Sequence, residues 1–492
     1  MSRRAATSTR SRVSGARADP VEAATPPILG HAPRAPGARP PAGRPPPLRR
    51  GPPGTPRRRA RAPRRIVGLA PRRTAPGHAR PGGALTSGSW KALIGLFVLT
   101  MGTSILTPLL PLYLETYDLS TGTGTLLFVT YTLTVAPTML VAGNLSDRLG
   151  RKRLLLPAMA IMTVASLTFA LSDSVEMLFV GRVLQGLAIG GFLGVGAAFV
   201  VDHARVESKA LAATLAGVFF RLGFGLGPGL GGIVAEYGDD PLHQPFWGHI
   251  VLMLVGIVAV SAAAETLLRS PNPGPFRIRI GVPRGQKPGF LTFVAPAIFL
   301  MSYLEGTVLS LVPIYMVKEL GVTNIAIVGA VGFLVLGLGG VSPFVARRFD
   351  PRTAIMIGVS LSTVFSLLII ATSRVESAGL IVVAATLIGA TNGFILYGGT
   401  VICGTIVPIR ERGKLMSLLY VFAYSGTVPV VALGFLGDSI GLTTALAIFT
   451  AVGAILATFV LTVGRRLFPE VIPHRETDQH QPVTSAQASR PA

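Results

Sequence analysis

Between Trp90 and Phe468 the chain is a series of apolar stretches, each closed by a short polar connection. Each stretch is roughly 20 residues long, enough for a helix to cross the hydrocarbon of a bilayer. One such stretch could be a buried helix of a soluble core; twelve in series leave nothing soluble to bury them. Only 14% of the residues are charged, against about 25% in ordinary soluble domains. Hydrocarbon offers the backbone no hydrogen-bond partner, so each span must be helical. The expected spans are 91–114, 122–146, 154–172, 176–201, 210–235, 247–268, 290–316, 324–346, 353–372, 377–406, 414–436 and 442–464. The fold class expected is an all-α membrane protein with twelve transmembrane helices and the lipid bilayer as its solvent.

The connections alternate in charge. One set carries Arg148, Arg151, Lys152, Arg153, Arg205, Lys209, Arg347, Arg348, Arg352, Arg410, Arg412 and Lys414; the other carries Lys318 and Arg374 among many carboxylates. Basic connections stay cytoplasmic. The expectation is a multi-pass protein of the cell membrane with both termini in the cytoplasm.

The formal net charge of +23 says little about partners. Residues 1–88 hold 19 of the 45 Lys and Arg against Asp19 and Glu22 alone, leaving 26 basic and 20 acidic residues for the rest. This Arg/Pro-rich tail has too little apolar side chain to build a core and is expected to be disordered. It also lacks the apolar region of a signal peptide. Three readings stand: a solvated tail, a basic arm for anionic lipid or nucleic acid, or translated sequence upstream of the true start. The composition favours the last, and no nucleic-acid partner is expected.

Shifted by about 203 positions, the chain after the tail begins to match itself. "LLPLYL" (109–114) meets "LVPIYM" (311–316); Gly186, Gly190 and Gly196 meet Gly389, Gly393 and Gly399; Asp147 meets Asp350. The expected organisation is the tail 1–88, a six-helix half at 90–268, a cytoplasmic linker at 269–289, a second half at 290–468 and a disordered tail at 469–492. Two parallel halves can enclose a midplane site and rock around it.

Three stretches now resemble the major facilitator superfamily. "GNLSDRLGRKR" (143–153) is similar to its loop signature G-x-L-x-D-R-x-G-R-K/R-x; "RVLQG" (182–186) to R-x-x-Q-G; and "GFGLGPGLGG" (223–232) to G-x-x-x-G-P-x-x-G-G, a pattern of its drug/proton antiporter branch. The resemblance covers 90–468. The second copy of the loop signature, "VARRFDPRTA", keeps Asp350 and its basic residues but loses the glycines.

The resemblance implies gating for Gly143, Asp147, Arg148, Gly150 and Arg151, with Gly143 read as a close-approach position between helices. Arg151 and its basic neighbours also serve topology. It implies proton transfer or substrate contact for Arg182, which shares a helix face with Gln185; the alternative is that Arg182 snorkels to the outer end. Gly186, Gly190 and Gly194 form a small-residue packing face. Gly223, Gly227, Pro228, Gly231 and Gly232 are read as the packed antiporter face, with a kink at the proline. Arg221 is mid-helix without a nearby carboxylate on its own helix and needs a partner elsewhere.

Glu305 is the only carboxylate deep in a span, and an intramembrane carboxylate is a functional-site hypothesis by default. It is the candidate proton carrier; the alternative is a structural bond or salt bridge to Arg221 or Arg182. Gln185, Arg221, Asn392 and Tyr397 are candidate cavity residues. Nothing in the sequence calls for a cofactor or a metal: Cys403 is the only cysteine and lies in an apolar span, and His203, His243 and His249 lack ligand spacing. No phosphate-binding loop and no catalytic constellation of an enzyme is present.

The reading is a monomeric, proton-coupled secondary transporter working by alternating access. The resemblance implies export of small apolar or amphipathic compounds, as in multidrug efflux. A symporter or uniporter importing a sugar or carboxylate is the alternative. A non-transporting membrane sensor or scaffold is the alternative from another class.

Overall fold

The computed structural model describes residues 84–266, 281–282 and 286–468, without the side chains of Asn144, Asp147, Ser373, Ile409 and Arg410. Twelve helices there are long and apolar enough to cross a membrane: α1 (Ser87–Thr116), α2 (Thr121–Gly143), α3 (Lys152–Ala170), α4 (Val175–Asp202), α5 (Val206–Tyr237), α6 (Gln244–Ser261), α7 (Lys287–Lys318), α8 (Ile325–Ala346), α9 (Pro351–Thr372), α10 (Ala378–Thr405), α11 (Glu411–Ile440) and α12 (Leu442–Leu467). No strand occurs among the described residues. All twelve expected spans recur, and the helix of α2 continues beyond the apolar span to Leu149.

The tail expected at 1–88 lies outside the described residues as far as 83, as do most of the linker and the whole of 469–492. Where these segments overlap the structure, helix replaces expected coil at 87–88 and 287–289, while 84–86 and 281–282 are not helical. Helix α1 starts at Ser87 because Thr86 caps it, accepting from Ser89 N at 3.1 Å while its hydroxyl donates to His203 O at 2.7 Å. Helix α6 stops at Ser261, short of the expected 268. The Lys152 ammonium takes the Ser261 and Ala263 carbonyls there, as a cation at a helix C-terminus can.

Proline sets the internal breaks. Pro108 has no N–H for the Ser104 carbonyl, and α1 is interrupted at Ile105. Helix α11 is interrupted between Ser425 and Pro429. Helices α1 and α7 are the most enclosed, with 89% of their apolar windows buried.

The internal repeat is visible in how glycines pack. A Cβ on Gly186 would meet Tyr131 O of α2 at 2.4 Å, and one on Gly190 would meet Val135 O at 2.7 Å. Their counterparts Gly389 and Gly393 on α10 meet Val335 O at 2.3 Å and Gly339 O at 3.0 Å, both on α8. So α4 lies on α2 as α10 lies on α8. The third member of the expected stripe departs: a Cβ on Gly194 would meet nothing within 4 Å, because α4 has left α2 at this level and faces open space.

Connections α2–α3, α4–α5, α8–α9 and α10–α11 gather the basic residues at one end of the bundle; α5–α6 and the C-terminus of α11 bring Glu236, Asp239, Asp240 and Asp438 to the other. The bundle thus has a basic end and an acidic end.

Candidate functional site

A cavity of about 800 Å³ runs between the two sets of six helices. Its walls are mostly apolar and aromatic, including Phe128, Tyr131, Phe220, Phe224, Tyr420 and Tyr424. Among its lining residues, Thr132 of α2 and Thr427 of α11 are both buried and share a hydroxyl hydrogen bond of 3.0 Å. Toward the basic end its lining residues Gly194, Ala213, Gly217, Phe344 and Arg347 are exposed. The chamber is thus open at the basic end and closed at the other.

Arg221 of α5 and Glu305 of α7 meet in the cavity wall, Nη1 to Oε1 at 3.5 Å, with side chains 15% and 17% exposed. This is the partner that Arg221 lacked on its own helix. A glycine pair on α8 makes room for it: a Cβ on Gly340 would lie 2.6 Å from Arg221 Cβ, and one on Gly339 would lie 3.5 Å from Nη1. Behind the pair, Asn392 Nδ2 on α10 donates to Glu305 Oε2 at 3.4 Å, and the buried Asn392 Oδ1 has no hydrogen-bond partner among the described residues. Three helices therefore converge on one carboxylate. Asn392 and Tyr397 do not line the cavity; Asn392 is buried and Tyr397 half-buried on α10.

Arg182 is fully buried and does not snorkel. Its Nη1 donates to Thr103 O at 3.1 Å and to Gln185 Oε1 at 3.0 Å, and Gln185 Nε2 donates to Gly102 O at 3.0 Å. The guanidinium lies 5.1 Å from the Tyr131 ring centre and 5.6 Å from that of Phe128. Both rings line the cavity, so Arg182 and Gln185 stand behind its aromatic wall rather than on it. Nε and Nη2 of Arg182 have no hydrogen-bond partner among the described residues. A central charge of this kind costs about 2.5–3.5 kcal/mol on insertion scales, so its retention needs a reason.

Helix α5 has two glycine faces. Gly223, Gly227 and Gly231 face α1, where added Cβ atoms would meet Phe97 O at 2.3 Å, Met101 O at 2.3 Å and Ile105 O at 3.0 Å. Gly232 and Pro228 face α8: a Cβ on Gly232 would meet Ile325 O at 2.7 Å, and one on Gly332 would meet Pro228 Cβ at 2.7 Å. Pro228 cannot donate to the Phe224 carbonyl, and Ser104 Oγ of α1 donates to it instead, at 2.5 Å. The motif thus locks α5 to its neighbours on both sides, one in each set of six.

At the basic end the loop after α2 is tied down by two carboxylates. Glu265 accepts from Arg151 N at 3.0 Å and Lys152 N at 3.1 Å, capping α3, and Arg151 Nε pairs with Asp202 at the end of α4. Gly150 has φ +102°, a conformation that favours glycine, and a Cβ there would lie 2.7 Å from Glu265 Oε2. Arg148 is half-buried. The Asp147 side chain lies outside the described residues. Gly143 corrects the expectation of close helix approach: it is exposed, and a Cβ on it would meet nothing within 4 Å, because α2 stands at the open mouth here. In the second copy, Asp350 caps α9 by accepting from Thr353 N at 3.0 Å, and hydrogen bonding to Thr353 holds its carboxyl below the usual carboxylate range.

The family model for the Major Facilitator Superfamily matches residues 92–428 and, in a second match, 294–491. The chain belongs to this superfamily. Among curated members, it is 28% identical over 214 residues to Multidrug resistance protein 1 of Bacillus subtilis, covering 42% of this chain and 51% of that one. It is 30% identical over 221 residues to the Putative multidrug resistance protein MdtD of Salmonella paratyphi B, covering 44% of each. The chain thus spans about half the length of the curated relatives it matches. Solved structures superpose over more of the chain. A crystal structure of peptide transporter POT superposes with TM-score 0.66 at 12% identity, covering 79% of this chain and 97% of that one. The human organic anion transporter MFSD10 superposes with TM-score 0.54 at 18% identity, covering 76% and 99%. At such identity the likeness is one of fold.

Membership and the twelve helices make this a multi-pass membrane protein of a transporter superfamily. Sequence reasoning missed Asp202, Glu265 and Ser104. Asp202 directly follows one expected apolar span and Glu265 falls in the last turn of another, so both read as ordinary punctuation at span ends. Ser104 carries a signal only once Pro228 is known to leave a carbonyl free opposite it.

Proposed function

We propose that this protein is a proton-coupled secondary transporter that exports small apolar or amphipathic compounds by alternating access. The observation that carries the proposal is the mostly apolar chamber of about 800 Å³, open at one end, with the Arg221–Glu305 pair in its wall. In this reading the basic connections and both termini face the cytoplasm. The chamber then opens inward, the state in which an exporter loads. The segments 90–268 and 290–468 rock as two halves of a monomer, and the Gly150–Arg151 loop with Asp147 and Arg148 latches the inner end in the opposite state.

Glu305 is the proposed proton carrier. Ionised, it holds Arg221 across α8; protonated, it releases that cation and loosens the contact between halves. One proton entering down about 100 mV supplies about 2.3 kcal/mol, enough for roughly fiftyfold accumulation. The multidrug-resistance names of the relatives support the substrate class.

The test is flux in proteoliposomes with an acid lumen, using one lipophilic cationic dye and one neutral dye. Antiport predicts dye accumulation in the lumen that a protonophore abolishes. Dye movement in the same direction as protons would make the protein a symporter, and flux indifferent to the gradient would remove proton coupling.

A further inference from the structure

The closed, acidic end is held by a pair of contacts that repeat each other. Asp438 of α11 accepts from Thr121 N and Gly122 N, the first residues of α2, both at 2.8 Å. Glu236 of α5 accepts from Ile325 N, the first residue of α8, at 2.7 Å. Each bond crosses from one set of six helices to the other. Neither is needed to start its helix, because both termini already have caps of their own: Ser120 accepts from Thr123 N at 3.1 Å, and Asn324 accepts from Ile327 N at 3.2 Å. The carboxylates take N–H groups that those caps leave free.

One turn before each carboxylate stands a glycine on the same helix face. A Cβ on Gly434 would lie 2.1 Å from Thr125 Oγ1 and 3.0 Å from Gly122 Cα; one on Gly232 would lie 2.7 Å from Ile325 O and 2.9 Å from Gly329 Cα. The sequence therefore carries Gly-x-x-x-Glu at 232–236 and Gly-x-x-x-Asp at 434–438, 202 positions apart, while the receiving caps Ser120 and Asn324 are 204 apart. The glycine admits a helix N-terminus, and the carboxylate one turn later grips it through its N–H groups and its positive dipole end.

We infer that Glu236 and Asp438 are positioning residues for transport: a duplicated lock that holds the acidic end shut while the cavity is open at the other. The lock rests on the alternating-access reading but not on Glu305 as the proton carrier. Opening the acidic end must break all three bonds and withdraw α2 from α11 and α8 from α5. Both locks sit at equivalent places in the repeat, so they release together when the halves rock.

The test uses the full chain with Cys403→Ser and spin labels at two exposed pairs, Thr116→Cys with Ser439→Cys and Tyr237→Cys with Thr323→Cys. Distances are read without substrate or proton gradient, so an uncoupled transporter still tests the lock, and a failed lock leaves the coupling proposal standing. Asp438→Ala and Glu236→Ala are each expected to raise the long-distance, outward-open population about fivefold, the effect of removing a charge from a helix N-terminus. Asp438→Asn, which keeps an accepting oxygen, restores most of the closed population. Unchanged distances in both Ala variants would overturn the lock, as would an Asn variant as open as the Ala variant. Should an Ala variant fail to fold, Gly434→Ala, which drives a methyl into Thr125 and Gly122, reads the same pair; a closed distance there also refutes the lock.

Discussion

The polar side chains of the bundle interior divide into two groups with different exposure to the cavity. Arg221 and Glu305 touch it, whereas Arg182 and Gln185 stand behind Tyr131 and Phe128. In the proposed transport cycle the separation suits a division of labour: the first pair would meet protons and substrate, while the second fixes α1 against α4 through the Thr103 and Gly102 carbonyls. Arg182→Lys keeps the charge but loses the planar fork that serves both Thr103 and Gln185. Losing one charge-assisted buried bond is worth about 1.5 kcal/mol or more, so gradient-driven transport should fall on the order of tenfold while expression holds. The ratio of dye flux with and without the proton gradient reads this directly; an unchanged ratio would limit Arg182 to fixing α1 against α4, with no part in coupling. Glu305 was legible in the sequence because a carboxylate deep in an apolar span has no bland surroundings. Its partner was narrowed to Arg221 or Arg182 but not decided between them, because Arg221 lies 84 positions away on another helix and reaches it over two glycines of α8.

At the scale of the helix, small residues and prolines decide which spans touch and where they break. The apolar runs made all twelve spans readable, and the 203-residue offset made the matched packing of α4 and α10 readable too. Depth along the helix was not readable, since glycine spacing alone does not say where two helices diverge. Gly227 and Gly194 make the contrast. Gly227→Leu forces a side chain into Met101 O and Ser104 Oγ and should cost roughly 1–3 kcal/mol by overpacking. Its thermal midpoint in detergent is expected to drop, while Gly194→Ala, facing open space, leaves the midpoint unchanged. Ser104→Ala tests the kink. It strips the Phe224 carbonyl of the donor that replaces the missing Pro228 N–H and should destabilise by about 1–3 kcal/mol. Equal midpoints for Ser104→Ala and wild type would mean that another donor serves that carbonyl.

Over the whole molecule, the arrangement has one open end, one closed end and, between them, a carboxylate that contacts Arg221 and Asn392. The two-half organisation was legible from repeated motifs, but the state of the bundle was not: no pattern in one sequence says which end is open. That information lives in contacts between the halves, the Thr132–Thr427 bond and the helix-end carboxylates. Whether Glu305 couples proton movement to the rocking of the halves, as proposed, is decided by Glu305→Gln in proteoliposomes. The variant mimics permanent protonation without changing side-chain volume. Both downhill dye exchange and accumulation driven by an acid lumen are measured on the same vesicles. Accumulation is expected to be abolished while binding and downhill exchange persist. Accumulation by Glu305→Gln at the wild-type rate would contradict it and place coupling elsewhere in the molecule.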